Sequence, residues 1–305
     1  MNQLFSLVIA NYNNGNYIEE AINSVLNQTF QNLEIIIIDD ASTDNSIEII
    51  TPFLSDKRFK LIRNKTNSGV GYTKKTGIET STGQIIGILD PDDTLTPNAI
   101  EIMVKAHTEN PDAALVYSTH YLCDEDLNIK KISPHVGEIP ENETYLTLKD
   151  NFNHHISQFA TFKKKYYDAT GGISEKYLKA IDKDLYFKLE EVGKTLFIPQ
   201  PLYYYRWHKG SISLFANAET AYEWELFAKK EAFIRRTKQT TKNLTINELI
   251  DLYVENFNKM KNKTQNLQQI IQQKDEIIQN IYNSSSYKIG NLFLKPFSFF
   301  KKNLK

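Results

Sequence analysis

Strands and helices alternate through the first 120 residues, and this alternation restricts the fold more than any other feature. Residues 35–38 are four successive isoleucines, a pattern typical of a parallel strand that is covered on both faces. Strands are predicted at Leu4–Ala10, Leu33–Asp39, Phe59–Arg63, Gln84–Leu89 and Ala113–Thr119, and helices at Ile18–Asn27, Ser46–Leu54, Val70–Thr80 and Pro97–Asn110. Alternation at this pitch predicts βαβ units in an open, Rossmann-like α/β sheet flanked by helices.

The chain changes character after residue 120 and again after residue 213. A hairpin is expected around CDEDLNIKKI at 123–132 and a helix at Leu178–Val192, followed by short strands at Leu196–Ile198 and Leu202–Arg206. Thr96 is expected to cap the helix that starts at Pro97. The sequence therefore predicts a sheet domain over 1–213, with halves 1–120 and 121–213.

A C-terminal helical extension is predicted over 214–283. It starts with a helix at Ala221–Lys238 and continues with a heptad ladder from Ile250 to Ile281. Eight of the ten ladder positions are apolar or aromatic, which favours a self-associating coiled coil and hence a homo-oligomer. A long amphipathic helix that packs on its own domain is the alternative.

The segment 284–305 is a basic, aromatic tail. It carries five lysines and no acidic residue, whereas the whole chain has a net charge of -1. Lysines interleaved with aromatic side chains suit an anionic membrane surface, and a disordered or core-packed tail is the alternative. The near-neutral total charge argues against a nucleic-acid binder. A single cysteine, no basic n-region and no long apolar stretch favour a cytoplasmic protein, peripheral on the inner face of the membrane.

Polar side chains follow the predicted strands where ligands bind in open α/β sheets. Three carboxylates lie within four residues in Asp90-Pro91-Asp92-Asp93, and they repel one another unless a cation or a proton intervenes. Oxygen ligands of this kind suit Mg²⁺ or Mn²⁺ bridging to a diphosphate. Their position directly after the apolar strand IIGIL favours this interpretation over an acidic turn that caps the next helix. Asp39-Asp40 and the glycine-bearing turn before Val70 add a carboxylate pair and an anion-binding helix start.

Taken in order, these segments resemble family 2 glycosyltransferases. The resemblance rests on SLVIANYNNGNYIEEAINSVLNQTF, IIIIDDASTDNS, NSGVGYTKKTGIETSTGQIIGILDPDD, GGIS, AIDKDLYFKL and YYYRWHKGSIS, which together cover about residues 3–213. It implies a GT-A-type open mixed sheet whose halves bind the donor (1–120) and the acceptor (121–213). Departures include Ala10 in place of a usual proline, Ile181 in place of a usual glutamate and Lys75 in place of a usual asparagine.

The resemblance also implies roles for individual residues. The nucleotide-sugar would be bound by Ala10, Asn11, Tyr12, Asp40, Gly69, Lys74, Asp90 and Asp92. Asp92 or Asp93, together with His208, would bind Mn²⁺ or Mg²⁺. Gly171, Gly172 and Trp207 would contact the acceptor.

Asp182 would be the catalytic base. Transfer with inversion needs one group to accept the proton of the acceptor hydroxyl, while the leaving diphosphate needs a cation and no acid. A carboxylate in the first turn of a helix is favoured in its charged form. An exposed helix carboxylate beside Lys179 and Lys183 is the alternative reading.

The sequence thus predicts an inverting, metal-dependent transferase that moves a sugar from a UDP-sugar to a hydroxyl of a glycan or lipid-linked acceptor in cell-surface polysaccharide synthesis. One alternative is a nucleotide-sugar-binding scaffold without turnover. Another is a sugar nucleotidyltransferase, although its usual first loop is basic and the loop ANYNNGNY carries no positive charge.

Overall fold

A computed structural model of the chain describes residues 3–148, 156–208 and 218–239. In these ranges the strands are β1 (Phe5–Asn11), β2 (Leu33–Asp39), β3 (Phe59–Arg63), β4 (Ile85–Leu89), β5 (Thr94–Leu95), β6 (Ala113–Cys123), β7 (Ile129–Ile132), β8 (Ala160–Lys163) and β9 (Lys194–Arg206). The α-helices are α1 (Ile18–Leu26), α2 (Ser46–Ile50), α3 (Val70–Thr80), α4 (Ala99–Glu109), α5 (Lys164–Ala169), α6 (Ile181–Val192) and α7 (Ala218–Gln239). A 3₁₀ turn, Thr51–Ser55, follows α2.

The strands form one mixed sheet in the order β3-β2-β1-β4-β8-β6-β9-β5, with β7 paired to β6. The four strands β3, β2, β1 and β4 are parallel, while β8 runs antiparallel to both β4 and β6. Asn11 at the end of β1 lies opposite Asp39 at the end of β2. The carboxyl ends of the parallel strands are therefore level, and the loops that follow them meet at one edge of the sheet.

Two apolar layers cover the sheet, one on each face. Leu7, Ile9, Ile35 and Ile37 pack in one layer with Ile22 of α1. Because successive side chains of a strand point to opposite faces, Val8 lies in the other layer. That layer also contains Ile78 of α3 and Leu185 of α6. Burial on both faces is the reason that β1 and β2 are nearly continuous apolar runs.

Helix α3 lies directly against the sheet at Gly77. A Cβ atom added to this glycine would lie 2.3 Å from Val8 Cγ1 and 3.3 Å from Ile38 Cγ1. Glycine is thus the residue that permits the helix backbone to approach β1 this closely. The approach fixes the height at which the side chains of α3 stand above the strand ends.

Several predicted boundaries are wrong. β6 continues to Cys123, and β9 is one strand with shifts in its pairing to β6 in place of two short strands. Thr96 does not cap α4, because the helix begins at Ala99 with Asn98 at the N-cap position, and the Thr96 hydroxyl donates instead to Leu202 O at 3.4 Å beside the β5–β9 pair. Leu178 precedes α6 and is exposed.

Helix α7 packs against α6, although the sequence placed it in the extension after residue 213. Arg235 pairs with Glu191 at 2.9 Å and Arg236 with Glu190 at 2.6 Å. Packing divides the chain into the units Met1–Gln239 and Thr240–Lys305, so α7 belongs to the unit that contains the sheet. The predicted heptad ladder and basic tail lie outside the described residues. Within the described segments, no helix has the length and apolarity needed to cross a bilayer.

Lowering the pH should destabilise the fold through His107. This side chain is buried on α4 with Nε2 3.0 Å from Thr161 Oγ1, and burial, followed by the charge of Lys163, lowers its pKa from 6.5 to about 3. Below pH 6.5 His107 is therefore protonated in the unfolded chain but stays neutral in the folded chain. The resulting loss in unfolding free energy is about 1.4 kcal/mol per pH unit midway between these two pKa values.

The variant His107→Gln isolates this contribution, because glutamine does not titrate. It should have a lower unfolding free energy than the parent at pH 7. In urea unfolding experiments, this difference in unfolding free energy should become smaller between pH 6.5 and 5. An equal difference at both pH values would contradict a neutral, buried His107.

Candidate active site

The loops after β1 and β2 are joined by buried polar contacts. Asn11 is fully buried, and its Nδ2 donates to Asp39 Oδ1 at 2.9 Å and to Ser42 Oγ at 3.2 Å. The Asn11 Oδ1 atom is buried without a hydrogen-bond partner. On the same loop Tyr12 is exposed, and Ala10 is half-buried. Two strand ends are thereby fixed together, with an aromatic ring at the rim.

Asp40 organises the turn that opens α3. Its carboxylate accepts hydrogen bonds from Asn64 Nδ2 at 2.7 Å, Ser68 N at 2.9 Å and Gly69 N at 2.8 Å. Gly69 has φ +86°, a conformation that favours glycine. Asp40 is only 2% exposed. In this structure the carboxylate therefore holds the start of α3 and does not contact the acidic loop after β4.

The acidic loop after β4 begins with Asp90, which has a partner on each oxygen. Lys74 of α3 donates to Oδ1 at 2.8 Å, and Gln158 Nε2 lies 3.3 Å from Oδ2. Burial acts to raise the pKa of Asp90, but the Lys74 ammonium and these hydrogen bonds outweigh it and hold the pKa below its ordinary value. Asp90 is thus kept as a carboxylate beside a lysine.

Lys74 is the cation around which three acids gather. Burial acts to lower the pKa of its ammonium, but Asp90 first, and then Asp182 and Asp92, hold that pKa above its ordinary value. The approach of α6 to α3 explains how Asp182 arrives, since a Cβ on Gly71 would lie 3.1 Å from Ile181 Cδ1. The first turn of α6 therefore lies near the start of α3, the helix from which Lys74 reaches the acidic loop after β4.

Asp182 and Asp184 stand in different surroundings on α6. Asp182 is half-buried and interacts electrostatically with Lys74. Asp184 is buried and pairs with Lys188 at 2.6 Å and with Arg235 at 3.5 Å. Asp184 therefore belongs to the contact between α6 and α7, whereas Asp182 does not pair with either of these residues.

Asp92 and Asp93 separate into two roles. Asp92 Oδ2 lies 2.9 Å from His208 Nε2. Asp93 is 2% exposed and accepts hydrogen bonds from Tyr203 Oη at 2.8 Å and Arg206 N at 2.7 Å. Burial first, and then the charges of its acidic neighbours on this loop, raise the pKa of Asp93 well above its ordinary value. Asp93 thus attaches the acidic loop to β9.

Asp92 and His208 are a facing carboxylate and imidazole, two side chains of the kind that bind metal ions. Within 3–148, 156–208 and 218–239, no group of three or more His, Cys, Asp or Glu side chains is arranged to hold a metal ion. A divalent cation at Asp92 and His208 would therefore need further ligands from the substrate or from water.

The predicted acceptor residues lie in two places. Gly171 and Gly172 have φ +75° and +73°, and the Gly172 carbonyl accepts a hydrogen bond from Lys188 Nζ at 2.9 Å. Trp207 is 53% exposed, and its backbone N–H donates to Cys123 O at 3.0 Å. The glycine turn is thus tied to α6, while the indole stands beside His208 with its ring free to meet a ligand.

Two polar residues of the site escaped the sequence analysis. Arg206 is 3% exposed, donates from Nε to Asp92 O at 2.6 Å and also contacts Glu20 and the Glu125 carbonyl. An arginine at the end of a tyrosine-rich strand was the available signal for a buried role. Gln158, which holds Asp90, lies outside every recognisable motif.

The attachment of the acidic loop predicts contrasting effects for two substitutions of Asp93. Asp93→Asn keeps an acceptor for Arg206 N and a polar partner for Tyr203, and should cost less than about 1 kcal/mol of unfolding free energy. Asp93→Ala leaves both buried partners unpaired and should cost about 3 kcal/mol. Urea unfolding measures both variants. An asparagine variant as unstable as the alanine variant would show that the folded state needs the ionised carboxylate.

Comparison with known proteins identifies the family of the chain. The profile described as Glycosyl transferase family 2 matches residues 6–171. Glycosyltransferase GlyG of Streptococcus pneumoniae is 30% identical over 262 residues, which cover 75% of this chain and 80% of GlyG. The chondroitin synthase of Pasteurella multocida is 32% identical over 191 residues, which cover 63% of this chain. The match spans only 19% of that synthase.

Solved structures share the fold. Staphylococcus aureus TarS 1-349 in complex with UDP-GlcNAc superposes with a TM-score of 0.59 at 19% identity, covering 73% of this chain and 65% of that one. Mannosyltransferase PcManGT from Pyrobaculum calidifontis, in complex with GDP-Man and Mn²⁺, gives a TM-score of 0.52 at 14% identity, with coverage of 84% and 80%. The mixed sheet with flanking helices is thus the GT-A-type fold predicted from the sequence. The profile match over more than half of the chain, together with GlyG, shows that the chain belongs to glycosyl transferase family 2.

Proposed function

We propose that this protein transfers a sugar from a UDP-sugar to a hydroxyl of a glycan or lipid-linked acceptor, with inversion at the anomeric carbon. The observation that carries the proposal is the position of Lys74 on α3, whose ammonium lies 2.8 Å from Asp90 Oδ1 and also interacts electrostatically with Asp182 and Asp92. This cluster combines an ammonium, acids whose net negative charge suits a divalent cation beside a diphosphate, and a carboxylate for an incoming hydroxyl. It lies at the carboxyl ends of the parallel strands, where open α/β sheets bind ligands.

The nucleoside would lie against the ends of β1 and β2. Tyr12 offers an exposed ring beside Ala10, and the buried Asn11 amide supports that loop. Asp40 accepts three N–H bonds in this structure, and a carboxylate has about four acceptor positions, so one remains for a uracil imide. TarS with UDP-GlcNAc supports a uridine donor.

Asp92 and His208 are the residues that would hold Mg²⁺ or Mn²⁺. Their facing Oδ2 and Nε2 atoms, 2.9 Å apart, provide one carboxylate and one imidazole ligand. Such ions commonly bind one or two carboxylates and complete their shell with substrate phosphates, so this donor set fits. When bound, the cation supplies positive charge to the leaving diphosphate. Asp93 is left out of the set because both of its oxygens bind β9.

Asp182 would act as the general base. Its place in the first turn of α6 puts the helix N-terminus behind it, which favours the charged carboxylate. As the acceptor oxygen forms its bond to the anomeric carbon, the hydroxyl proton passes to Asp182 and the bond from that carbon to the diphosphate breaks. The electron pair of the broken bond leaves with UDP, beside the charge of Lys74.

The acceptor would enter from the side of Trp207 and the turn at Gly171 and Gly172. The exposed indole offers a flat apolar face of the kind that stacks on a sugar ring. Curated relatives include chondroitin and hyaluronan synthases, which supports a glycan acceptor in surface polysaccharide synthesis. Contact of 284–305 with an anionic membrane and self-association through 250–281 belong to the same proposal.

Asp182→Asn should reduce sugar transfer by about a thousandfold, because general base catalysis contributes on that scale. Binding of UDP should remain within about twofold, since the amide keeps the size of the side chain. The measurements are UDP release from a panel of UDP-sugars with Mn²⁺, and UDP affinity by calorimetry. The matched control is Asp168→Asn, an exposed carboxylate on α5 that pairs only loosely with Lys164 at 3.8 Å.

Three results would contradict the proposal. Transfer by Asp182→Asn at the control rate would exclude this residue as the base. UDP binding without turnover of any donor would favour a scaffold. Release of pyrophosphate in place of UDP would indicate a nucleotidyltransferase.

A further inference from the structure

The imidazole of His208 lies beside an aromatic side chain to which the sequence analysis assigned no role. β9 ends at Arg206, and the Trp207 N–H bond to Cys123 O, at 3.0 Å, is the contact that anchors the backbone just before His208. His208 therefore lies two residues beyond the strand. Its imidazole nevertheless lies with Nε2 2.9 Å from Asp92 Oδ2.

The aromatic neighbour of His208 is Tyr17. Its ring centroid lies 4.8 Å from that of His208, with the planes inclined at 49°. The same ring makes a second contact with the Arg206 guanidinium, whose Cζ lies 4.9 Å from the centroid of the Tyr17 ring. Tyr17 thus packs against both the guanidinium and the imidazole, contacts that aromatic rings make favourably.

The ring of Tyr17 is held from several sides. Tyr17 immediately precedes α1, with its N–H donating to Asn14 O at 2.9 Å, and its hydroxyl donates to Glu125 Oε1 at 3.1 Å. Arg206 binds the Asp92 carbonyl and, through its own N–H, the Asp93 carboxyl. Through Arg206 the ring is therefore connected to the acidic loop, and the same ring contacts His208, the residue that faces Asp92.

We infer that Tyr17 is a positioning residue that holds the His208 imidazole toward Asp92, so that the two side chains are ready to share a divalent cation beside the donor diphosphate. This inference rests on the proposed function, because it assumes that His208 and Asp92 bind the cation. Tyr17 itself contacts His208 and not the cation. The ring, rather than the hydroxyl, performs the task, since the ring makes both contacts.

Binding of Mn²⁺ to the full chain at saturating UDP tests the inference without any turnover, with free Mn²⁺ measured by its EPR signal. His208→Ala should weaken Mn²⁺ affinity about tenfold, the scale of one lost metal ligand or its support. Tyr17→Leu, which removes the ring, should weaken it about fivefold. Tyr17→Phe, which retains the ring, should restore affinity to within about twofold of the parent.

The double variant Tyr17→Leu/His208→Ala separates positioning from a general structural effect. If Tyr17 acts through His208, the double variant should bind Mn²⁺ as His208→Ala does, because the two changes remove the same interaction. Tyr166→Leu is the matched control, since Tyr166 is a half-buried tyrosine on α5 with Lys165 Nζ 4.7 Å from its ring centroid. It should leave Mn²⁺ affinity unchanged.

The outcomes distinguish failure of the inference from failure of the proposed function. Unchanged affinity in Tyr17→Leu, with weakened affinity in His208→Ala, overturns the role of Tyr17 alone. Additive losses in the double variant overturn it too. Unchanged affinity in His208→Ala overturns the proposed metal ligand and the inference with it. If Tyr17→Leu does not fold, Tyr17→Met fills the same space without a ring and carries the same expectations.

Discussion

Three carboxylates within four residues at the end of β4 repel one another, and the surrounding fold answers that repulsion at each position differently. Asp90 is neutralised by the ammonium of Lys74, and Asp92 faces the imidazole of His208. Asp93 is buried, and its raised pKa favours the protonated form. The partners come from α3, from the end of β9 and from the chain beyond it. Meeting the electrostatic demand of one short loop therefore brings distant parts of the chain together.

The regular part of this fold could be predicted because its signals are local. β2, β3 and α3 have the predicted bounds, since isoleucine runs and the glycine before Val70 determine them at short range. The family of the protein also followed from ordered motifs. The role of Asp93 could not be predicted, because burial against Tyr203 and Arg206 depends on a pairing more than a hundred residues away in sequence. The prediction that Thr96 caps α4 was wrong for the same reason, because Thr96 hydrogen-bonds to Leu202 on the distant strand β9.

The contact between α6 and α7 holds in place the helix that carries Asp182, the proposed base. Asp184 and its partners Lys188 and Arg235 turn inward, while Asp182, two residues earlier, turns toward Lys74. A helix changes side-chain direction by about 200° over two residues. One helix thus serves the packing of the domain with one carboxylate and the proposed chemistry with another. The sequence contained both acids, but α7 was assigned to a different region.

The close approach at Gly77 has a consequence for the tolerance of the site to change. Since no methyl group fits between α3 and Val8, the helix cannot settle nearer to the strands, and a larger residue would lift it away. Lys74 lies about one turn before Gly77, so the close packing at Gly77 also fixes the distance of Lys74 from the sheet. The position of the Lys74 ammonium is therefore constrained by packing against the sheet. We expect variation in the sugars and acceptors that such a scaffold accommodates to arise from residues farther from the sheet.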